Sequence, residues 1–223
     1  MGSLYYSWIL DFLLWVVYYP CMRIHKVLES IFGSPAKIHI LRVLLNSPQP
    51  LSGRQVGELS GFTHKGAIHA LKSMVELGAV QQRRVGKAYQ YSLSKNSIFV
   101  EKIITPCIMA EASLFDDLKR EITAHFSNDT ISLVLYGSVA RGEERNGSDI
   151  DVLAIVKDET KKRKVEDKTA SKVPYFNARF KGLLSLHCFT LNEIKGKKTI
   201  FLLRSAMREG IRLSGKPLGE LLR

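Results

Sequence analysis

The sequence predicts an α/β (α+β) protein in two blocks, helices closed by a β-hairpin and then a mixed β-sheet flanked by helices. Three observations carry this reading. The length of 223 residues suits two small domains of roughly 100 to 150 residues each. Charge is segregated along the chain: residues 22–95 hold 11 basic and 3 acidic side chains, residues 129–223 hold 19 and 12, and the intervening stretch holds 3 and 5. In the second block, an apolar run at Ile131–Tyr136 and a second through Leu153, Ile155 and Val156 bracket a glycine-containing turn, the pattern of buried strands.

Apolar residues make up 45% and charged residues 24%, the usual globular mix, which excludes wholesale disorder and a fibrous repeat. The balance of 33 Lys and Arg against 21 Asp and Glu leaves a formal charge of +12, favouring a polyanionic partner such as nucleic acid or nucleotide phosphates. Cys21, Cys107 and Cys188 are scattered and odd in number, so they support neither a disulfide framework nor a zinc knuckle, and a cytoplasmic location is expected. The six histidines show no zinc-site spacing. Leu4 to Tyr19 is apolar but contains Asp11 and falls short of the ~20 residues that span a bilayer. It lacks the marks of a signal peptide, and Tyr6 stands where a myristoylation signal wants Ser or Thr. Residues 1–21 thus read as an apolar leader, either a peripheral anchor or a segment preceding a functional chain that begins at Met22.

Taken in order, Ser34 and Pro35 open a helix with Ile38, Leu41, Leu44 and Leu45 on its apolar side. Ser52 caps a short helix bearing Val56 and Leu59, Gly61 turns the chain, and Thr63 opens a helix with Ile68, Leu71 and Val75 inward. Gly78 ends it, and Ala79–Arg84 and Ala88–Leu93 form two strands across Gly86. These elements, with Leu51-Ser52-Gly53-Arg54-Gln55-Val56 and Leu77-Gly78-Ala79-Val80, resemble the winged helix-turn-helix domains of prokaryotic transcription regulators. The resemblance covers residues 22–95 and implies binding of double-stranded DNA. His64, Lys65, His69 and Lys72 would then face the major groove, while Arg83, Arg84 and Lys87 on the wing would lie over phosphates. The competing reading is a solvated helix face and a wing that pairs subunits. After Pro106, the set Ile108, Met109, Ala112, Phe115, Leu118, Ile122 and Phe126 marks a connector helix within residues 96–128, with an apolar surface suited to a homodimer.

In residues 129–223 the strand Ile131–Tyr136 delivers Gly137 and Ser138 to a turn, and a helix starts at Val139. Backbone N–H groups there would face anions. Asp149 and Asp151 then head a second strand whose alternation puts both carboxylates on one face, where they could share a divalent cation. The run Gly137-Ser138-Val139-Ala140-Arg141-Gly142 followed by Ser148-Asp149-Ile150-Asp151-Val152 resembles the nucleotidyltransferase superfamily of DNA polymerase beta, in particular its minimal stand-alone branch. That resemblance implies a triphosphate held by Gly137, Ser138, Arg141 and Ser148. It implies Mg²⁺ (or Mn²⁺) on the catalytic Asp149 and Asp151, and nucleotidyl transfer from a nucleoside triphosphate to an acceptor hydroxyl. An acceptor protein encoded nearby is one partner the minimal branch allows.

The family also places a third acid on a later strand. Here Leu183–Thr190 contains no carboxylate; Ser185 and His187 alternate onto one face, and Glu193 follows the strand. The alternative function is therefore a transcriptional regulator whose transferase domain binds nucleotide without turnover. Gly210 to Pro217 mimics a P-loop, but Pro217 replaces the metal-binding hydroxyl, and Glu209-Gly210-Ile211 to Gly215 instead matches the chain-end segment of the minimal branch. Lys161 to Lys164 reads as a solvated basic run, with a lesser role in holding nucleic acid.

Overall fold

The computed structural model describes residues 25–195 and 200–222; the leader read at residues 1–21 lies outside them. The chain divides into two compact units, Met1–Ala112 and Ser113–Arg223. Among the described residues no helix is long and apolar enough to cross a membrane.

In the first unit α1 (Leu28–Phe32) and α2 (Pro35–Asn46) are followed by β1 (Leu51–Ser52), α3 (Gly53–Ser60) and α4 (His64–Glu76). The caps are those the sequence predicts. Ser34 Oγ accepts from Lys37 N, and Thr63 Oγ1 accepts from Gly66 N at 3.2 Å. Ser52 and Gln55 form a reciprocal capping box, which satisfies two helix-end donors at once. Gly61 closes α3 at φ +75°, a left-handed backbone that a side chain would strain, and so sets the turn before α4. The hairpin β2 (Val80–Val85) and β3 (Ala88–Leu93) turns at Gly86, and β1 adds to it in the order β1-β3-β2. This is a winged helix-turn-helix module. Its core gathers Ile40, Leu41, Val56, Leu71, Met74 and Tyr91. On α4, Ala67 and Ala70 are buried deeper than Ile68 and Val75, because small side chains let α4 approach its neighbours closely.

Helix α5 (Thr105–Phe126) leads to the sheet of the second unit: β4 (Ser132–Tyr136), α6 (Gly137–Arg141), β5 (Ile150–Val156), α7 (Glu159–Phe180), β6 (Leu184–Thr190), α8 (Ile200–Glu209), β7 (Ile211–Gly215) and α9 (Leu218–Leu221). The sheet order is β6-β5-β4-β7; β4 runs antiparallel to both neighbours, whereas β5 and β6 are parallel. A parallel pair needs a long crossover, and α7 supplies it. Strand alternation sends Leu133, Leu135, Val152 and Ala154 to one face, against Ile122, Phe126, Val165 and Phe176. The other face, with Val134, Tyr136, Leu153 and Ile155, packs on Leu203, Ala206 and Leu218.

Two sequence features take definite form here. The P-loop mimic is an edge strand, β7, paired with β4, and side chains at Gly210 or Gly215 would collide with the Ala206 or Ile131 carbonyl oxygen. The basic run lies in the first turns of α7 and is ion-paired. Lys161, Lys164 and Lys168 reach the buried Asp129 carboxylate at 3.0, 2.8 and 2.7 Å, and Lys162 reaches Glu193 at 2.6 Å.

Candidate active site

The site forms at one end of the second sheet, where β4 leaves and β5 enters. Because these strands are antiparallel, Tyr136 at the end of β4 stands in register with Asp151 near the start of β5, and on the other side Asp151 pairs with Ser185 of β6. Tyr136, Asp151, Ser185 and His187 therefore share one face of the sheet. Asp149 lies just before β5 and is exposed, while Asp151 is half-buried. Burial and the neighbouring Asp149 charge push the Asp151 carboxyl above the ordinary carboxylate range, against the opposing pull of His187 and Arg141.

Gly137 fixes the approach of the turn to this carboxylate. Its φ is +78°, and a Cβ there would overlap Asp151 Oδ2 and contact its Cγ and Cβ. Glycine is thus required both for the left-handed backbone and for the space, and it brings the Gly137-Ser138 backbone directly against Asp151. Short α6 follows with no side-chain cap at its start and ends on Gly142, which adopts φ +67°.

Arg141 at the end of α6 is held by two carboxylates, Nε to Glu143 Oε2 at 2.7 Å and an Nη to Glu209 Oε1 at 2.8 Å. Glu209 also accepts from Ser205 Oγ at 2.6 Å. Ser148 Oγ accepts from Arg145 N at 2.9 Å, closing the loop that presents Asp149. Gly137, Ser138, Arg141, Ser148, Asp149 and Asp151 are thus contributed by one continuous strand-turn-helix-loop-strand segment.

Glu193 does not supply a third acid beside Asp149 and Asp151. Glu193 follows the far end of β6, roughly 17 Å along the strand from Ser185 at about 3.3 Å per residue. It is engaged there by Lys162 and by Thr190 N at 2.8 Å. In register with Asp151 stands Ser185, and two residues on, the His187 Nδ1 shares a 3.0 Å hydrogen bond with the Tyr136 hydroxyl. Burial and the Asp151 charge push the Tyr136 phenol up to about 12, keeping it protonated. Among the described residues no cluster of three or more Asp, Glu, His or Cys side chains gathers as a metal cage. Two oxygen-donor acids beside a backbone turn suit a hard cation such as Mg²⁺, which completes its shell with water and substrate phosphate.

Sequence reasoning did not single out Tyr136 or Glu209. The contacts that give them a role join strands and helices distant in sequence; the Glu-Gly-Ile motif marked Glu209 without indicating its partner Arg141.

On the first unit, His64, Lys65, His69 and Lys72 are all exposed on α4, the second helix of the helix-turn-helix. Arg83, Arg84 and Lys87 are exposed on the hairpin.

No curated protein matches the chain in sequence. Among solved structures, the human N-acetylserotonin methyltransferase in complex with SAM is similar at 18% identity and TM-score 0.28, covering 43% of this chain and 26% of that one. A toxin-antitoxin structure with AMP-PNP is similar at 13% identity and TM-score 0.32, covering 47% and 80%. Lactococcus lactis ZitR in complex with DNA is similar at 17% identity and TM-score 0.31, covering 54% and 86%. Residues 116–215 match the family model described as nucleotidyltransferase domain, a span that contains the whole segment from Gly137 to Asp151. The carboxyl-terminal part of this chain is a nucleotidyltransferase domain.

Proposed function

We propose that the protein is a DNA-binding nucleotidyltransferase that moves a nucleotidyl group from a nucleoside triphosphate to an acceptor hydroxyl. The observation that carries this reading is the contact of the Gly137 turn with the Asp151 carboxylate, which puts a backbone suited to phosphate beside a pair of mutually repelling acids. Asp149 and Asp151 would hold Mg²⁺ or Mn²⁺, whose charge relieves that repulsion and offsets charge developing on the α-phosphate. The Gly137 and Ser138 backbone then cradles the triphosphate, with Ser148 keeping the Asp149 loop closed and Arg141 set one helical turn away. In the reaction the acceptor oxygen bonds to the α-phosphorus, the bond to the β-phosphate bridging oxygen breaks, and pyrophosphate leaves while the acceptor proton passes to solvent or a base. The test uses triphosphates labelled at the α or γ position with DNA, RNA and protein as acceptors. Transfer of the α label alone is expected; transfer of the γ label would show phosphoryl transfer instead, and no transfer with any acceptor would remove the enzymatic reading.

Ser185 favours a second reading. With a hydroxyl where the family carries its third acid, the domain would bind nucleotide without turnover and serve a winged-helix regulator. Both readings take α4 into the major groove of double-stranded DNA, with Arg83, Arg84 and Lys87 on the backbone. Replacing Lys65 and Lys72 by Ala is expected to weaken duplex binding by about 10-fold or more and to flatten its salt dependence, as removal of phosphate or base-edge cations does. Fluorescence anisotropy with selected genomic duplexes at several salt concentrations measures this. An unchanged salt slope would assign the α4 face to another role.

A further inference from the structure

We propose that helix α7 carries a track for single-stranded nucleic acid, formed by residues other than those of the winged helix. Its residues Lys161, Lys164, Lys168, Lys172, Tyr175 and Arg179 recur at three- and four-residue intervals. At 100° per residue they fall within an arc of about 80°, a stripe about 27 Å long. The acidic residues of α7, Glu159, Glu166 and Asp167, fall outside that arc.

Charge within the stripe is gathered rather than dispersed. Three ammonium groups converge on one carboxylate, Asp129, whose side chain is 4% exposed while those of Lys161 and Lys164 remain 43% and 58% exposed. One carboxylate balances one of the three, so the convergence leaves two positive charges concentrated at the surface. Lysines merely avoiding repulsion would splay into water. Here the buried acid holds them together, at the cost of their mutual repulsion, and a chain of phosphates is the anion that matches a row of such charges.

The lower half of the stripe adds an aromatic surface. Tyr175 is 37% exposed, with the Lys172 ammonium 5.6 Å from its ring centroid. Its hydroxyl donates to Glu121 Oε2 at 3.0 Å, and the same carboxylate meets Arg179 at 3.3 Å, so the ring is held in place. A fixed, partly exposed ring between cations suits base stacking, which is available when bases are unpaired and is independent of sequence. This favours single strands over duplexes.

The test is binding of fluorescent oligo-dT and oligo-U by the full chain, measured by anisotropy across a salt series. The double variant Lys164→Gln/Lys172→Gln is expected to bind at least about 10-fold more weakly, with a salt slope lowered by about 1.4, two phosphates at about 0.7 each. Lys172→Glu, which breaks no contact with Asp129, should weaken binding likewise and guards against a folding defect, checked by thermal melting. Tyr175→Phe keeps the ring and its edge-on packing against His125 and Phe176, so it should bind within about 2-fold of the parent, whereas Tyr175→Ala should lose the stacking surface and bind at least about 5-fold more weakly. The winged-helix variant Lys65→Ala/Lys72→Ala should retain oligonucleotide binding. Equal binding by the parent and the folded α7 variants would overturn the proposal, as would tighter binding of duplex than of single strand or loss of binding in the winged-helix variant. Comparison of the two oligonucleotides shows whether DNA or RNA is preferred.

Discussion

Asp151→Asn is expected to lower nucleotidyl transfer by about 10³-fold or more while leaving the fold as stable as before or slightly more stable. The loss of transfer follows from removing one of two charges that would hold the cation and counter phosphate charge, the kind of stabilisation whose removal costs about 10² to 10³ for even a single neutral donor. The gain in stability follows from the sign of the carboxyl shift. Burial and Asp149 raise the folded carboxyl above its unfolded value, so the ionised form penalises folding at neutral pH. That penalty is fully present above the folded value and fades as pH falls toward about 3.9, the ordinary aspartate value. The Asn side chain keeps the shape and carries no charge. Melting curves with and without Mg²⁺ provide a second readout: the cation should raise the midpoint of the parent and not of the variant. A variant that still transfers label at the parental rate would break the proposed mechanism.

Asp129→Asn should behave in the opposite sense, with stability lost by about 2 to 3 kcal/mol at neutral pH. Removing one partner from a buried ion cluster leaves charges without compensation, and partial exposure of the lysines moderates the full cost. Hydrogen bonds from Lys164, Lys168 and Lys161 hold the Asp129 carboxyl well below its usual range. A depressed carboxyl contributes stability above its unfolded value of about 3.9 and loses it as pH falls through the folded value. The difference in stability between parent and variant should therefore be constant from about pH 7 to 5 and shrink below about pH 4. Denaturant unfolding across that range measures it, and a difference that persisted undiminished at pH 2 would contradict the ion-cluster account. The two aspartates thus illustrate one rule. Asp129 is ionised among cations and supports the fold, whereas Asp151 is ionised beside another acid and opposes it.

The capped helices, the wing and the strand-turn-strand segment that carries the candidate residues are legible in the amino-acid order alone. Ser34, Ser52 and Thr63 announced their helices because a cap is a contact between residues three apart, and Gly61 and Gly86 announced turns because their backbone needs no partner to be legible. The Gly137-to-Asp151 segment was legible for the same reason: its strand, turn, loop and strand are consecutive, so adjacency in sequence already implies adjacency in space. Register and the pairing of distant elements emerge only in the packed chain. Parallel pairing of β6 with β5 put Ser185 opposite Asp151 and sent Glu193 to the other end of the sheet, a choice that a one-strand pattern does not contain. Packing of α8 beside α6 joined Glu209 to Arg141, and burial of Asp129 turned a run of lysines from a solvated face into a gathered stripe. Local hydrogen bonding and hydrophobic period are properties of short segments, whereas a carboxylate's neighbours, and hence its charge state and chemistry, are properties of the packed chain.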